Sequence, residues 1–435
     1  MDKVFFSKDT LIRKEHFGTL ILTLDGRRFL VSNKYIDLLK VINGNIVSDL
    51  YEKFPLYKHG EIDTLIDLLV KKGILVFKDN YEIFNVSIIE NEIISEDAMS
   101  FPRTVYWEST QICNFKCIHC YSESNIKGFE GIELNTAKKL VDEMVNNGVE
   151  FFNIGGGEPL MYKHIFEVIN YCSLKGLKIE LTTNGSLLTD LNIKKLKHCG
   201  LKFIQVSLDG ATKTSFETMR PGSNFELIKE NIRKLVENDF VVSINTVLTK
   251  INHLEIIDII NLSQDLGASF YKVSPLMETG RGCDNKLDIQ LTLKELRLVY
   301  ENIFKYQEKN QNPKFNIIVN KNVLNPSIKN IDWMPECHYG CPAGRSTCGI
   351  DSYGNVYPCS YMNHEDLVCG NISNKPLLEI WKDSKIMNEI RKIDKIDGKC
   401  NSCKHLETCR GGCRATAYLR YNKLDASDPL CVAHL

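Results

Sequence analysis

The sequence has 435 residues, of which 43% are apolar and 25% charged, and its formal net charge is -1. This composition excludes a fibrous or disordered chain, and the balanced charge excludes a global field that would attract nucleic acid or an anionic membrane. At about 150 residues per domain, the length predicts several domains. Neither a signal peptide nor an apolar run of about 18 residues is found, so we expect a cytoplasmic protein outside the membrane.

The first part of the chain has the pattern of a small mixed domain. Residues 18–31 contain two apolar runs around Asp25-Gly26, which is a strong hairpin signal. Three helical patterns and one strand-like run follow, at about 34–43, 46–54, 60–72 and 74–78. The order predicts a winged-helix-like domain over residues 1–80. Residues 81–103 lack a clear period and are predicted to form a linker.

Between residues 104 and about 276, strand-like runs alternate with amphipathic helical stretches six times. The alternation predicts an α/β fold over residues 104–280, with a parallel sheet curved into a partial (β/α)6 barrel and helices outside. Ligands of such sheets bind at the carboxyl ends of the strands. A lysine- and asparagine-rich bridge with one helix is predicted over 281–336, and a cysteine-rich domain over 337–435.

Sixteen cysteines in a chain without an export signal point to metal ligation rather than disulfides. Cys113, Cys117 and Cys120 follow the first barrel strand as a CxxxCxxC loop. Three thiolates can hold three irons of a [4Fe-4S] cluster and leave the fourth iron open. A zinc site is the alternative, but it would require a fourth ligand from elsewhere.

The CxxxCxxC loop resembles that of the radical S-adenosylmethionine (SAM) superfamily in spacing and position. The resemblance implies that an electron from the first cluster cleaves SAM and generates a radical. It also implies that the following residues, on loops after successive strands, contact SAM: His119, Gly156, Gly157, Glu158, Thr183, Asn184, Ser207, Asp209 and Arg220. Taken singly, a serine or asparagine at such a place could equally cap a helix.

The last hundred residues resemble the SPASM extension of radical SAM enzymes in the spacing of seven cysteines. With Cys348 the number becomes eight, which saturates two further [4Fe-4S] clusters and makes three clusters in all. The resemblance assigns four thiolates to an inner cluster, Cys341, Cys348, Cys359 and Cys413, and four to an outer cluster, Cys400, Cys403, Cys409 and Cys431. Cys348 lies outside the minimal pattern. Without it, the inner cluster would have an open iron that could bind a substrate thiolate.

A zinc ribbon is an alternative for this last region, since it also uses CxxC followed by CxxxC, but the upstream loop disfavours it. The cysteines outside both patterns are five in number. Leftover cysteines are ordinarily small buried apolar residues, and this is expected of Cys172, Cys199 and Cys369. Cys283 and Cys337 lie where a substrate or cluster could be close.

The N-terminal domain resembles the leader-peptide recognition element of peptide maturases, in which a peptide adds to an exposed strand edge. An oligomerisation or purely structural role is the main alternative. DNA binding is disfavoured because acidic and basic residues are balanced over residues 1–80.

The module order as a whole resembles the radical SAM/SPASM peptide maturases. It implies hydrogen abstraction from a ribosomally synthesised precursor peptide, and an intramolecular crosslink that is either a thioether or a carbon–carbon bond such as Lys to Trp. An electron donor such as flavodoxin or ferredoxin is expected, and neither nucleic acid nor a membrane is expected as a partner.

Two rival functions remain. Anaerobic sulfatase maturases oxidise a cysteine or serine to formylglycine on the same architecture, but they lack the N-terminal domain. They also carry an aspartate where Ser360 follows Cys359 here. A non-catalytic iron-sulfur redox regulator is the other rival. The sequence assigns no catalytic base.

Overall fold

The computed structural model describes residues 3–23, 27–79, 83–319 and 340–433. The chain divides into two compact units. The first extends from the N-terminus to Phe101 and includes Asn146–Gly148, and the second contains most of the chain from Pro102 onward.

The N-terminal unit combines two small sheets with three helices among its described residues. Its strands are β1 (Lys3–Phe6), β2 (Thr10–Glu15), β3 (Gly18–Thr23), β4 (Arg28–Val31), β5 (Asn45–Ile46), β6 (Leu75–Lys78) and β7 (Val86–Ile89), and its helices are α1 (Ile36–Val41), α2 (Val47–Lys53) and α3 (His59–Lys71). The sheet orders are β5-β1-β6 and β4-β3-β2-β7. Apolar side chains of both sheets and all three helices share one core, including Phe6, Ile21, Leu39, Leu50 and Leu69.

The structure confirms the hairpin strands, since β3 and β4 pair antiparallel, and it also confirms the three helices and β6. The hairpin turn at Asp25-Gly26 lies outside the described residues. The prediction of a linker over 81–103 is wrong for its central part, because β7 pairs in parallel with β2. The strand β7 is only four residues long, too short to show a periodic apolar pattern. Its partner strand lies about 75 residues earlier in the chain, so no local signal indicates the pairing.

A buried ion pair also fastens this segment to the N-terminal unit. Arg13 and Glu15 lie 2.7 Å apart with side chains 1% exposed. Arg13 donates to the carbonyl of Phe101, and Glu15 accepts from the backbone N–H of Ser100. The chain up to Phe101 therefore belongs to the first unit.

The second unit begins with the barrel. Its strands are β8 (Thr104–Glu108), β9 (Phe151–Gly155), β10 (Lys178–Thr183), β11 (Phe203–Ser207), β12 (Val241–Leu248), β13 (Phe270–Pro275) and β14 (Asn316–Ile318). Its helices are α4 (Leu134–Asn146), α5 (Ile165–Leu174), α6 (Asp190–His198), α7 (Lys213–Met219), α8 (Phe225–Glu237), α9 (Ile256–Asp265), α10 (Arg281–Asp284), α11 (Lys286–Ile289) and α12 (Leu293–Lys309). The predicted parallel α/β partial barrel is confirmed, whereas α7, α10, α11 and β14 were missed because they are short.

The two faces of the barrel strands differ in character. On β8, Trp107 stacks on Phe152 of β9 at 5.8 Å and meets Tyr162, three residues before α5, edge-on at 5.5 Å, so this face carries a buried aromatic cluster. The opposite face carries polar side chains, for example the ion pair of Lys272 with Glu180 at 2.8 Å. Because successive strand residues alternate in direction, the barrel has an apolar outer face and a polar interior.

The cysteine-rich region continues the barrel sheet. Its strands are β15 (Thr347–Ile350), β16 (Asn355–Tyr357) and β17 (Gly370–Asn371), and its helices are α13 (Leu377–Asp383), α14 (Lys385–Arg391), α15 (Leu406–Cys409) and α16 (Arg414–Tyr421). Strand β15 pairs in parallel with β8, giving the order β14-β13-β12-β11-β10-β9-β8-β15-β16-β17. Barrel and cysteine-rich region thus form one compact unit. In the described part of the chain, every helix is too short or too polar to cross a membrane.

Candidate active site

The first cysteine loop follows β8 at its carboxyl end. Cys113 and Cys117 are buried, and Cys120 packs against them together with Phe115. Burial raises the pKa of the Cys113 thiol to about 11, and the neighbouring Cys117 and Cys120 also raise it. The three thiols predicted to hold the first cluster therefore come together in one largely apolar pocket.

A network of charged side chains contacts the first cysteine loop. Asp209, after β11, is fully buried and contacts Arg220 Nε at 2.6 Å and His119 Nε2 at 3.2 Å. Burial alone would raise the pKa of Asp209, but the charge of Arg220 and the contact with His119 hold it below its usual range. Arg220 also approaches Cys117 Sγ at 3.5 Å. This network places a fixed positive charge next to the cysteine loop.

Glu158 links the loop after β9, to which it belongs, to the loop after β10, and both loops are predicted to contact SAM. Its carboxylate is 0% exposed and accepts hydrogen bonds from Thr183 Oγ1 at 2.7 Å and from the N–H of Asn184 at 2.8 Å. Burial raises its pKa to about 6, although these hydrogen bonds oppose the rise. Protein donors occupy the carboxylate, so in this structure Glu158 positions the loops after β9 and β10.

The glycines before Glu158 are required by a close approach of two loops. A Cβ on Gly156 would lie 2.6 Å from the carbonyl oxygen of Thr110, and one on Gly157 would lie 2.3 Å from that of Ile112. Both distances are shorter than any tolerable contact. Glycine at these positions lets the β9 loop pack against the segment that enters the first cysteine loop.

The remaining predicted SAM contacts lie at the same edge of the barrel. Asn184 donates to Asn114 Oδ1 at 2.9 Å and approaches Cys113 Sγ at 3.9 Å. Ser207 is half-buried at the end of β11, opposite Asn245 of β12. The structure thus brings the predicted residues of four successive strands together around the first cysteine loop.

Three of the four predicted inner-cluster thiols also come together. Cys341, Cys359 and Cys413 pack around one apolar core that includes Met277 and Tyr357. Burial raises the pKa of Cys359, and the adjacent Cys341 and Cys413 raise it further. These three cysteines form what we call the inner cysteine group.

Cys348, the fourth thiol predicted for the inner cluster, lies on β15 beside Gly349. A Cβ on Gly349 would lie 2.8 Å from the carbonyl carbon of Cys359, so Gly349 faces the backbone of Cys359. Cys348 precedes it on β15 and therefore faces the other side of the sheet. There its thiol is 0% exposed, and burial raises its pKa, the nearby Cys369 raises it further and Arg391 lowers it.

All four predicted outer-cluster thiols line one cavity. Cys400, Cys403, Cys409 and Cys431 surround a space of about 310 Å³ including its open mouth, together with Gly411 and Gly412. We call this space the outer cavity. Four converging thiols with few competing polar groups are the donor set of a saturated iron-sulfur cluster.

The donor chemistry at all three places fits iron-sulfur clusters. Within the described ranges, no three His, Cys, Asp or Glu side chains converge closely enough to hold a single metal ion. Of the other cysteines, Cys172 and Cys199 are buried and Cys283 is half-buried in α10. Cys337 lies outside the described residues.

Sequence reasoning overlooked one buried carboxylate at this edge. Glu108 ends β8, is 6% exposed, and its Oε1 atom makes no hydrogen bond within the described structure. An acidic residue five positions before the first cysteine, at the carboxyl end of a barrel strand, was the available signal.

Comparison with known proteins agrees with this geometry. The family model described as Radical SAM superfamily matches residues 107–263, and one described as Iron-sulfur cluster-binding domain, SPASM, matches residues 341–404. The chain is 32% identical over 346 residues to an AdoMet-dependent heme synthase of Methanosarcina barkeri, covering 76% of this chain and 96% of that protein. It is 28% identical to the mycofactocin maturase MftC of Mycobacterium tuberculosis over 78% of this chain and 84% of that one.

Solved structures share the fold at lower identity. SuiB of Streptococcus suis, bound to its precursor peptide SuiA, matches with a TM-score of 0.77 and 21% identity over 99% of this chain and 100% of that one. The enzyme anSMEcpe, with bound AdoMet and a peptide, matches with a TM-score of 0.62 and 20% identity over 77% of this chain and 95% of that one. The identity to curated relatives, the two family models and the arrangement of the cysteines together show that this chain belongs to the radical SAM superfamily and carries a SPASM iron-sulfur domain.

Proposed function

We propose that this enzyme is a peptide maturase that binds a ribosomally synthesised precursor peptide and crosslinks it within the core sequence. The observation that carries the proposal is the fold match to SuiB over 99% of the chain, which includes the N-terminal unit. SuiB in that structure is bound to a precursor peptide. The match to anSMEcpe covers only 77% of the chain.

The N-terminal unit offers a place for a leader peptide. Strand β4 is the last strand of its sheet and pairs only with β3 in the described structure. An extended peptide that adds to this edge would form backbone hydrogen bonds with the unpaired N–H and C=O groups of β4. The helix α3 flanks the edge, since Lys72 at its end lies 5.4 Å above the ring of Phe29 on β4.

An apolar side chain on the same helix supports this placement. Leu68 is one turn before Lys72 and therefore shares its face of α3. It is 42% exposed, although its neighbours Leu65 and Leu69 are buried. A leader side chain docked beside β4 would cover Leu68.

The barrel and the cysteine-rich region would do the chemistry. When bound, an iron-sulfur cluster and SAM at the first cysteine loop supply a radical able to remove a hydrogen atom from carbon. Arg220 balances the negative charge that collects at this loop, and Asp209 fixes its guanidinium. Glu158 holds the β9 and β10 loops in register. Three clusters in all are proposed, at the first loop, the inner cysteine group and the outer cavity.

The fourth ligand of the inner cluster is not Cys348 in this proposal. The inner cysteine group supplies three thiolates, and the face of β15 that carries Cys348 points away from them. A small flavin or iron-sulfur protein such as flavodoxin or ferredoxin is proposed as the electron donor.

A tetrapyrrole substrate is the competing candidate, because the heme synthase relative is 32% identical to this chain. That alignment covers 76% of the chain, so about a quarter of the chain lies outside it. The full-length match to SuiB favours a peptide.

The deciding experiment uses the reconstituted holoenzyme under anaerobic conditions with SAM and dithionite. Synthetic peptides encoded by short reading frames next to the gene are offered in one arm and iron coproporphyrin III in the other. We expect 5'-deoxyadenosine to form in proportion to a peptide product whose mass is lower by two hydrogen atoms. Loss of carbon dioxide from the tetrapyrrole, with the peptides unchanged, would overturn the proposal.

Leader binding has its own test on the N-terminal unit. Leu68→Asp places a charge on the face of α3 that flanks β4, so affinity for a full-length precursor peptide should fall about ten-fold or more. Leu174→Asp, on α5, is the matched control because Leu174 is 76% exposed in the other unit. Equal affinities for the two variants, measured by fluorescence anisotropy, would contradict leader binding at this edge.

A further inference from the structure

Glu108 lies at the entrance to the polar interior of the barrel. It ends β8 with its side chain on the same face as Tyr106, opposite to Trp107, which packs against Phe152 and Tyr162. The first cysteine loop begins five residues later. The carboxylate therefore sits at the carboxyl end of the sheet, beside the site where the radical chemistry is proposed.

The surroundings of Glu108 leave one oxygen atom available. The hydroxyl of Tyr121 donates to the carboxylate. Oε1 nevertheless makes no hydrogen bond in the described part of the chain, although Glu108 is 6% exposed. A buried polar atom without a partner costs free energy of folding, and functional sites are where such a cost is retained.

Two tyrosines link Glu108 to the first cysteine loop and to the inner cysteine group. Tyr121 directly follows Cys120, and its ring meets that of Tyr361 edge-on at 5.4 Å. Tyr361 packs against the inner cysteine group. Glu108 thus borders the region between the first cysteine loop and the inner cysteine group.

The titration of Glu108 suits proton transfer near neutral pH. Burial raises its pKa to about 7, the hydrogen bond from Tyr121 lowers it, and the negative charge of Asp351 raises it. Tyr357, which donates a hydrogen bond to Asp351, is another ionisable group that interacts electrostatically with Glu108. A carboxyl group in this range exists as both acid and base at physiological pH.

We propose that Glu108 is the general base of the reaction and that its Oε1 atom removes the proton from a cysteine thiol of the bound peptide, which then becomes one partner of a thioether crosslink. In this step the S–H bond breaks, an O–H bond forms on Glu108, and the electron pair remains on sulfur. No electron enters or leaves. The assignment rests on the proposed peptide maturase function and selects the thioether from the two kinds of crosslink considered.

A thiol is the best match among peptide donors. An ordinary cysteine thiol has a pKa of about 8.5, so transfer to a carboxylate with a pKa of about 7 is uphill by only about thirty-fold in equilibrium constant. Serine hydroxyls and backbone amides are far weaker acids. A carbon–carbon crosslink releases its proton from carbon and offers Glu108 no thiol to deprotonate.

The test compares wild type with Glu108→Gln, which keeps the shape of the side chain and cannot accept the proton. Cysteine-containing synthetic peptides from the neighbouring short reading frames are the probe. We expect the variant to retain its iron and to cleave SAM, while thioether formed per 5'-deoxyadenosine falls about a hundred-fold. Glu108→Asp, which retains a carboxylate, should recover part of the loss.

Glu150→Gln is the matched control, because Glu150 is also a buried carboxylate but precedes β9, at the opposite end of the strands. It should leave the ratio of thioether to 5'-deoxyadenosine unchanged. Thioether formation by wild type should rise with pH through about 7, and Glu108→Gln should lose this dependence. An equal product ratio in wild type and Glu108→Gln would overturn the role of Glu108 alone.

A direct titration separates this role from the proposed function. In the holoenzyme without peptide, infrared difference spectra should show a protonated carboxyl band that disappears as pH rises through about 7 and is absent from Glu108→Gln. A missing band in wild type would overturn the role of Glu108. SAM cleavage with no modified peptide in wild type would overturn the proposed function and this role together.

Discussion

The outer cavity and the inner cysteine group illustrate two ways in which a sequence places thiols. The outer thiols lie on turns and short helices, and all four line one cavity as their spacing predicts. The inner group depends on a strand, where one position decides which side of the sheet a side chain occupies. Cys348 completes the expected number of eight cysteines, but its side chain lies on the face of β15 opposite to that of its neighbour Gly349, which faces Cys359. Spacing alone predicts which thiols come together in loops, and strand parity must be considered where a cysteine lies on a strand.

The largest expected effect contrasts Cys359→Ala with Cys348→Ala. Removal of Cys359 should lower the iron content by about four of about twelve atoms and abolish peptide modification. Removal of Cys348 should leave the iron content at the wild-type value, since β15 directs its side chain to the face opposite to Gly349, which faces Cys359. Iron and sulfide analysis of the reconstituted proteins checks this. Equal loss of iron in the two variants would restore Cys348 as a ligand.

The outer cavity should be separable from the first site. Cys409→Ala removes one of four lining thiols, so we expect a loss of about four irons while SAM cleavage continues at the first cysteine loop. Electron paramagnetic resonance of the reduced protein would show which signal disappears. Cys199→Ala, in a buried position on the barrel, is the control. Loss of SAM cleavage in Cys409→Ala with its iron retained would be inconsistent with a separate cluster.

Strand parity can be tested without removing any ligand. A Cβ on Gly349 would lie 2.6 Å from the backbone nitrogen of Ser360, so Gly349→Ala must displace backbone and should destabilise the protein by about 1–3 kcal/mol. Cys348→Ala removes one buried sulfur atom and should cost less. Thermal unfolding of the two variants provides the measurement. A larger loss in Cys348→Ala would show that the faces of β15 are assigned incorrectly.

The last expected effect is the pH dependence of stability that Glu108 contributes. Its pKa is raised from 4.5 to about 7 in the folded protein, so its contribution is present at low pH and is lost as pH rises towards 7. The full change is at most about 3 kcal/mol. The melting temperature of Glu108→Gln relative to wild type should therefore rise between about pH 5 and pH 8. A constant difference would mean that the pKa of Glu108 is not raised.

Much of the fold follows from local pattern. The barrel strands alternate regularly with amphipathic helices, so their order and parallel direction could be predicted. Long-range pairing could not be predicted, because neither β7 with β2 nor β15 with β8 leaves a local signal. Short elements such as α7 were missed for the same reason, since seven residues span barely two turns.

The site was predicted to a similar extent. Loop motifs identified the residues that surround the first cysteine loop, because the CxxxCxxC spacing and the glycine-rich loop follow successive barrel strands. Motifs did not reveal that Glu158 is occupied by protein donors, since its partners come from the next loop. Nor did they reveal Glu108, because a single glutamate at a strand end ordinarily lies in solvent.

The pairing of β15 with β8 has a consequence for biosynthesis. About 240 residues separate the two strands, so at translation rates of roughly 5–20 residues per second β8 has no partner on that side for roughly 10–50 seconds. An unpaired strand edge is a template for aggregation while the nascent chain waits. The ribosome releases the cysteines of the first loop long before that edge is closed. We therefore expect a chain truncated before β15 to accumulate as insoluble protein, even though every barrel strand has been made.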